Sequence, residues 1–178
     1  MVGPKVKDEE RTMRISIKQV LDIIGEKQDF AGDIDLSWVI RHGEKLFPDA
    51  LAVRGEIFNR AGVVTLRYQI SGRMPFQCDR CLMQSERSLQ QEFTHTVVAC
   101  LEDEELDDVF LTAPDGVLAL DEIAGADLQL SLPQVFLCKD QCKGLCPVCG
   151  ADLNTTNCGC KPEPGDDRMA VLKKLLKG

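Results

Sequence analysis

Apolar and polar residues alternate along much of the first two thirds of the chain, and a period of two predicts strands. Arg14-Ile15-Ser16-Ile17-Lys18 alternates as a short strand. Between residues 20 and 47 the pattern is open. Ile34, Leu36, Trp38 and Ile40 alternate, yet Ser37 equally well caps a short helix through Phe47 ahead of Pro48. Leu51, Val53 and Ile57 then alternate with Ala52, Arg54 and Glu56, and Val64, Leu66, Tyr68 and Ile70 with Thr65, Arg67 and Gln69. Asn59-Arg60-Ala61-Gly62 supplies turn residues between these runs, so they form a β-hairpin. A third strand from Arg73 to Gln77 delivers Cys78. Leu89, Phe93, Val97, Ala99 and Leu101 share one parity, which predicts a long strand over 88–101 and makes Cys78–Cys81 the tip of a second hairpin.

Further along, residues 117–120 read as a strand. Asp121 caps a helix running to Leu132, with Pro133 ending it, although Leu128, Leu130 and Leu132 also keep the strand period. Asp166 and Asp167 lead a last segment that ends in lysines, which suits a helix macrodipole, and Met169, Leu172, Leu175 and Leu176 give it one apolar face. The pattern is that of an α+β, β-rich chain. It comprises a disordered arm over 1–13, a small antiparallel β domain with one or two helices over 14–137, a cysteine-rich segment over 138–162 and a short helix over 166–177.

Charge narrows the function. The formal net charge is −8, and residues 101–178 account for all of it. Bulk electrostatics therefore repel nucleic acid. A local exception lies in residues 51–90, where Arg54, Arg60, Arg67, Arg73, Arg80 and Arg87 face only Glu56, Asp79 and Glu86. Residues 102–108 place six acids in seven positions, a pattern read first as a solvated loop. No run is long and apolar enough to span a membrane, and the polar opening MVGPKVKDEERTM lacks the apolar stretch of a signal peptide. A cytoplasmic protein is expected, in which clustered thiols bind metal rather than pair as disulfides.

Nine cysteines carry the chemistry, six of them between Cys138 and Cys160. Zinc takes four thiolates in a tetrahedron, and a Cys-x-x-Cys turn aims two sulfurs the same way. Cys146 and Cys149 make such a pair, and Cys158 and Cys160 complete it as a zinc-ribbon-like knuckle. Cys78 and Cys81 are then one orphan half-site, Cys138 and Cys142 another. Together they form a second site, with Cys100 left over as a small half-buried residue near a strand end. The rival arrangement is a single zinc in the tail, with Cys138 or Cys142 drafted into it and Cys78 and Cys81 free. Iron stays open as the metal, and Cys78/Cys81 as a redox pair is disfavoured because strands flank it. Sites saturated by cysteine leave no place for water and are structural. His95 follows the apolar parity of its strand and reads as a packed histidine. No phosphate loop or hydrolase motif is present, so no catalytic residue is assigned.

Taken together, Phe76-Gln-Cys78-Asp-Arg-Cys81-Leu82, the acidic run, Asp121–Leu132-Pro133, Cys142-Lys-Gly-Leu-Cys146-Pro-Val-Cys149-Gly150-Ala-Asp-Leu153-Asn154, Cys158-x-Cys160 and Asp167-Arg168 resemble the bacterial YceD family, the large-subunit ribosomal RNA accumulation proteins. The resemblance spans roughly residues 14–177. It implies a small β-rich domain needed for 23S ribosomal RNA to accumulate, with a role in assembly of the large subunit. Some members lack the tail knuckle, which marks Cys146, Cys149, Cys158 and Cys160 as an added stabilising or docking element.

The leading expectation is a non-enzymatic assembly factor held by one or two zinc ions. It would present Arg54, Arg67 and Arg80 to ribosomal RNA or to a ribosomal protein, with no membrane and no small-molecule substrate involved. The alternatives are an acidic adaptor that binds a ribosomal protein without touching RNA, and a thiol redox or metal-sensing protein.

Overall fold

The computed structural model describes residues 13–100 and 110–161. The acidic run 102–108, the helix expected over 166–177 and the arm up to residue 12 lie outside the described residues. The chain divides into two compact units, one built from residues up to Phe76 together with Glu86–Gln134, the other from Gln77–Ser85 and the chain from Val135 onward.

In chain order the elements are β1 (Arg14–Ser16), α1 (Lys18–Asp22), β2 (Lys27–Ile34), β3 (Ile40–Arg41), β4 (Glu44–Lys45), β5 (Leu51–Arg60), β6 (Val63–Gln77), β7 (Gln84–Val98), β8 (Phe110–Thr112), β9 (Val117–Ala119) and α2 (Leu120–Ser131). The main sheet has the order β2-β5-β6-β7-β8, and β1–β9 and β3–β4 form two small ladders. The chain is a β-rich α+β protein with two helices among the described residues.

The hairpin of β5 and β6 sets the register. Val53 lies opposite Ile70 and Ile57 opposite Leu66. These four are buried, as are Leu51, Val64, Tyr68 and Met74, so the alternation read in the sequence is the inward face of the sheet. The turn is Ala61-Gly62, both at positive φ (54° and 85°), the two-residue geometry that matches strand twist. On α2, Leu120, Ala124 and Leu128 are buried.

Four details differ from the sequence reading. First, β6 runs unbroken through Gly72, so the strand expected from Arg73 is the end of a 15-residue one. A Cβ at Gly72 would sit 2.4 Å from Leu51 Cδ2, so the glycine marks close packing and not a turn. Second, of the two readings left open for residues 20–47, the helix from Ser37 through Phe47 does not form. The Ser37 N–H donates to Asp35 Oδ1 at 2.9 Å, which makes a local turn, and the two-residue strands β3 and β4 follow. Third, Asp121 is not the cap of α2. That position is Ala119, and the buried Asp121 carboxylate accepts the Met13 N–H at 2.7 Å. Fourth, β7 ends at Val98, β8 pairs with it in parallel, and Cys100 is exposed.

Candidate metal centres

The second unit is organised by sulfur. Cys78 N–H donates to Met83 O at 2.9 Å, and Leu82 N–H to Cys78 O at 2.9 Å, which closes the Cys78–Cys81 turn. Leu82 completes it at a φ of 60°. Within this turn Asp79 grips the opposite segment twice: its N–H donates to Phe136 O at 2.9 Å, and its Oδ2 accepts the Phe136 N–H at 2.6 Å. Phe136 is buried. That grip brings the chain leading to Cys138 alongside the turn.

Cys78, Cys81, Cys138 and Cys142 offer sulfurs that all lie within 4.8 Å of one another. Cys78 Sγ and Cys142 Sγ are 3.7 Å apart, and Cys81 Sγ and Cys138 Sγ 3.6 Å. Four thiolates at 2.3 Å from one zinc ion stand about 3.8 Å apart along a tetrahedron edge. A disulfide needs roughly 2.05 Å. The spacing therefore fits a shared ion, and these two pairs stand too far apart to be disulfides in this structure. Cys78, Cys81 and Cys142 are buried and Cys138 partly so, with Leu137 and Leu145 packed against them.

Cys146, Cys149, Cys158 and Cys160 form the other cluster, also within 4.8 Å of one another. The Gly150 N–H donates to Cys146 O at 2.9 Å, and the Cys146 N–H to Ala151 O at 2.8 Å, so this Cys-x-x-Cys turn is closed like the first. Leu145 and Asp152 bridge beyond it. Cys149 and Cys160 are exposed, so this cluster is the more open of the two.

The thiols are not equivalent. Burial alone would push Cys78 up, but N–H groups of Cys81, Cys138 and Arg80 outweigh it and bring the thiol down to about 6. Cys146 also comes down to about 6, through the backbone N–H groups of Cys149 and Val148 first. Burial and the neighbouring sulfurs push Cys138 up to about 12, and the sulfurs of Cys149 and Cys158 push Cys160 up to about 12. Each cluster thus sets a thiol shifted toward thiolate beside one shifted away from it. A divalent cation removes that conflict.

Arg80 sits inside the first turn. Its Nη1 donates to Cys142 O at 2.9 Å and its own carbonyl accepts the Leu145 N–H at 3.0 Å. A Cβ at Gly144 would stand 3.0 Å from that carbonyl, and Gly144 has a φ of 75°, so glycine is required twice over. Arg54 and Arg67 lie in the other unit, on the outer face of the sheet. Arg54 donates through Nε and Nη2 to Gln69 Oε1 at 3.0 and 2.6 Å. Arg67 stands between Glu56 at 3.8 Å and Glu92 at 4.0 Å, and Lys27 pairs with Glu56 and Asp29. Arg54, Arg67, Gln69, Asp29, Glu56 and Glu92, with Phe30 and Gly55, line an open groove of about 330 Å³. Three bases against three acids leave this face near neutrality.

The sequence reading missed Asp79 and Asn154. Asp79 carried a signal in its place inside a Cys-x-x-Cys turn. Asn154 carried none: its side chain holds Lys143 N–H through Oδ1 at 2.9 Å and reaches Cys142 Sγ through Nδ2 at 3.4 Å.

One family model, described as Large ribosomal RNA subunit accumulation protein YceD, matches residues 66–176, a stretch that contains all eight clustered cysteines. No curated protein and no solved structure matches the chain significantly.

Proposed function

The chain belongs to the YceD family of large ribosomal RNA subunit accumulation proteins, and from that premise we propose that it is a non-enzymatic factor for large-subunit ribosomal RNA accumulation and subunit assembly, scaffolded by structural zinc in both cysteine clusters. The observation that carries the reading is the family match, joined to two four-cysteine clusters whose geometry is compatible with metal. Cys78, Cys81, Cys138 and Cys142 would hold one ion, and Cys146, Cys149, Cys158 and Cys160 the other. Each ion supplies charge neutralisation and a crosslink, and four thiolates leave it no open position for catalysis.

Arg54, Arg67 and Arg80 remain the proposed contacts to ribosomal RNA. The near-neutral face around Arg54 and Arg67 favours a second reading, in which the protein acts as an adaptor on a basic ribosomal protein, consistent with a net charge of −8. A redox role for Cys78 and Cys81 gains less support, because both sit in a four-sulfur cluster. Among the described residues no helix is long and apolar enough to cross a membrane, and the proposed site of action is the cytoplasm.

Depleting the protein in its own cell tests the reading. The ratio of large- to small-subunit ribosomal RNA should fall, with restoration by the wild-type chain and not by a Cys78→Ser, Cys81→Ser chain. An unchanged ratio overturns the proposal.

A further inference from the structure

We infer that the two cysteine clusters are coupled through Asn154, so that metal in the exposed cluster sets how firmly the buried cluster holds its own. This rests on the reading of both clusters as metal sites. Asn154 lies between Cys149 and Cys158, in the loop whose two ends are the two halves of the exposed cluster. Its side chain nevertheless serves the other cluster. Nδ2 donates to Cys142 Sγ at 3.4 Å, and Oδ1 accepts the Lys143 N–H at 2.9 Å.

The assignment of the amide is forced by its partners. Lys143 N–H can only donate, so Oδ1 faces it, and Nδ2 faces the sulfur. The same Nδ2 donates to Asp152 Oδ1 at 2.7 Å, and that oxygen also accepts the Asn154 N–H at 2.9 Å. The side chain is thus held at both ends by the loop around it, and it moves away from Cys142 only as that loop loosens.

The loop itself is anchored at its start by bonds from Cys146 N–H to Ala151 O at 2.8 Å and from Leu153 N–H to Gly144 O at 3.0 Å. Past Thr156, whose N–H donates to Asp152 O at 2.9 Å, no backbone hydrogen bond ties the chain among the described residues up to Cys160. A metal on Cys158 and Cys160 is what would close it. Ordering that return costs chain entropy, and the ion offsets it. With the exposed cluster empty, the loop carrying Asn154 is released at one end and the N–H···S bond to Cys142 weakens. Hydrogen bonds to a ligand atom orient it and tune its charge, and losing one typically changes metal affinity by about ten- to hundredfold.

Two classes of metal follow from this. The buried cluster exchanges slowly and the exposed cluster quickly, and occupancy of the exposed cluster is felt at Cys142. Asn154 is a positioning residue in this scheme, not a ligand.

The test is exchange of isotopically labelled zinc out of fully loaded, full-length protein into an excess of unlabelled zinc, which keeps the exposed cluster occupied throughout. Wild-type protein should release its metal in a fast and a slow phase of equal size, from the exposed and the buried cluster respectively. Asn154→Ala should speed the slow phase by about tenfold or more and leave the fast phase unchanged. Asn154→Asp keeps an oxygen for Lys143 but loses the donor to sulfur, so it should speed the slow phase too. A Cys146→Ser, Cys149→Ser protein should lose the fast phase, and its remaining metal should leave faster than the wild-type slow phase. An unchanged slow phase in any of the three overturns the coupling. An effect in Asn154→Ala alone does so as well, because it would assign Asn154 only to Lys143. Uptake of fewer than two equivalents by the wild-type protein instead overturns the metal reading beneath it.

Discussion

Cys78 Sγ and Cys142 Sγ lie 3.7 Å apart across a sequence separation of 64 residues. Each half of that cluster supplies only two of its four sulfurs. The Cys78–Cys81 turn is closed by its own hydrogen bonds, and Asp79 grips Phe136 to bring Cys138 and Cys142 within reach. An ion held by the four sulfurs would complete the clamp. Binding to structural zinc sites supplies roughly 10–16 kcal/mol in small zinc-finger peptides, and that binding energy is folding energy. Cys78→Ser should therefore remove several kcal/mol of stability. In limited trypsin digestion, Arg80, Lys139 and Lys143 should be protected in the loaded wild-type chain and cut in Cys78→Ser or after chelation. Equal protection in all three samples would show that the clamp does not depend on metal.

Tyr68 offers a pH test inside the other unit. Its hydroxyl donates to Asp127 Oδ2, which also meets His95 Nε2 at 2.6 Å. Burial, then the hydrogen bond to Asp127, then the charge of Asp127, push the phenol far above the ordinary value of 10.0. A folded value above the unfolded one contributes stability that is whole below about pH 10 and is lost as pH rises beyond it. Tyr68 is the only tyrosine of the chain. Tyrosinate absorbance should therefore appear only together with alkaline unfolding. Asp127→Asn should bring the onset down without restoring the ordinary value, because burial remains. A reversible titration near pH 10 in the folded protein would contradict this packing.

The single tryptophan reports on α2. A Cβ at Gly125 would stand 2.3 Å from Trp38 Cζ2. Gly125→Ala gains roughly 1 kcal/mol of helix propensity but must displace the indole, which at 52% exposure is free to move. The two effects nearly cancel. The expected result is a red-shifted fluorescence maximum with a melting temperature close to wild type. An unchanged maximum would mean that Trp38 does not rest on α2.

The arginine contacts are tested by neutralisation and not by reversal. A glutamate at position 67 would stand beside Glu56 and Glu92 and disturb the sheet for reasons unrelated to RNA. Exposed pairs of this kind contribute about 0–1 kcal/mol, so Arg54→Gln and Arg67→Gln should leave the fold intact. If these side chains meet phosphate, each replacement lowers the salt slope of RNA binding by about 1. A wild-type chain that binds no RNA, yet retains a ribosomal protein, would support the adaptor reading.

What the sequence revealed and what it hid follow from different physics. The β5–β6 hairpin was legible because half-buried strands must alternate and Ala61-Gly62 suits a tight turn. The edge strand β2 was not: Lys27-Gln-Asp-Phe-Ala-Gly-Asp-Ile34 has few β-forming residues, and pairing with β5 on its one side supplies what its side chains do not. The strand expected from Arg73 to Gln77 was not seen as the end of β6, because packing of Leu51 against Gly72 is invisible in one dimension. The division of eight cysteines into two sets of four came from spacing arithmetic, and the structure gathers the same two sets. Asn154 could not be seen, since its role depends on two loops meeting.

The proposed scaffold rests on two ions, one in each cluster. Metal content of the purified chain by elemental analysis is the sharpest test, run beside a Cys146→Ser, Cys149→Ser variant and a Cys78→Ser, Cys81→Ser variant. Two zinc equivalents are expected in the wild type, falling to one in the cluster variants. One equivalent in the wild type, or none lost on replacing Cys78 and Cys81, would contradict the two-ion scaffold.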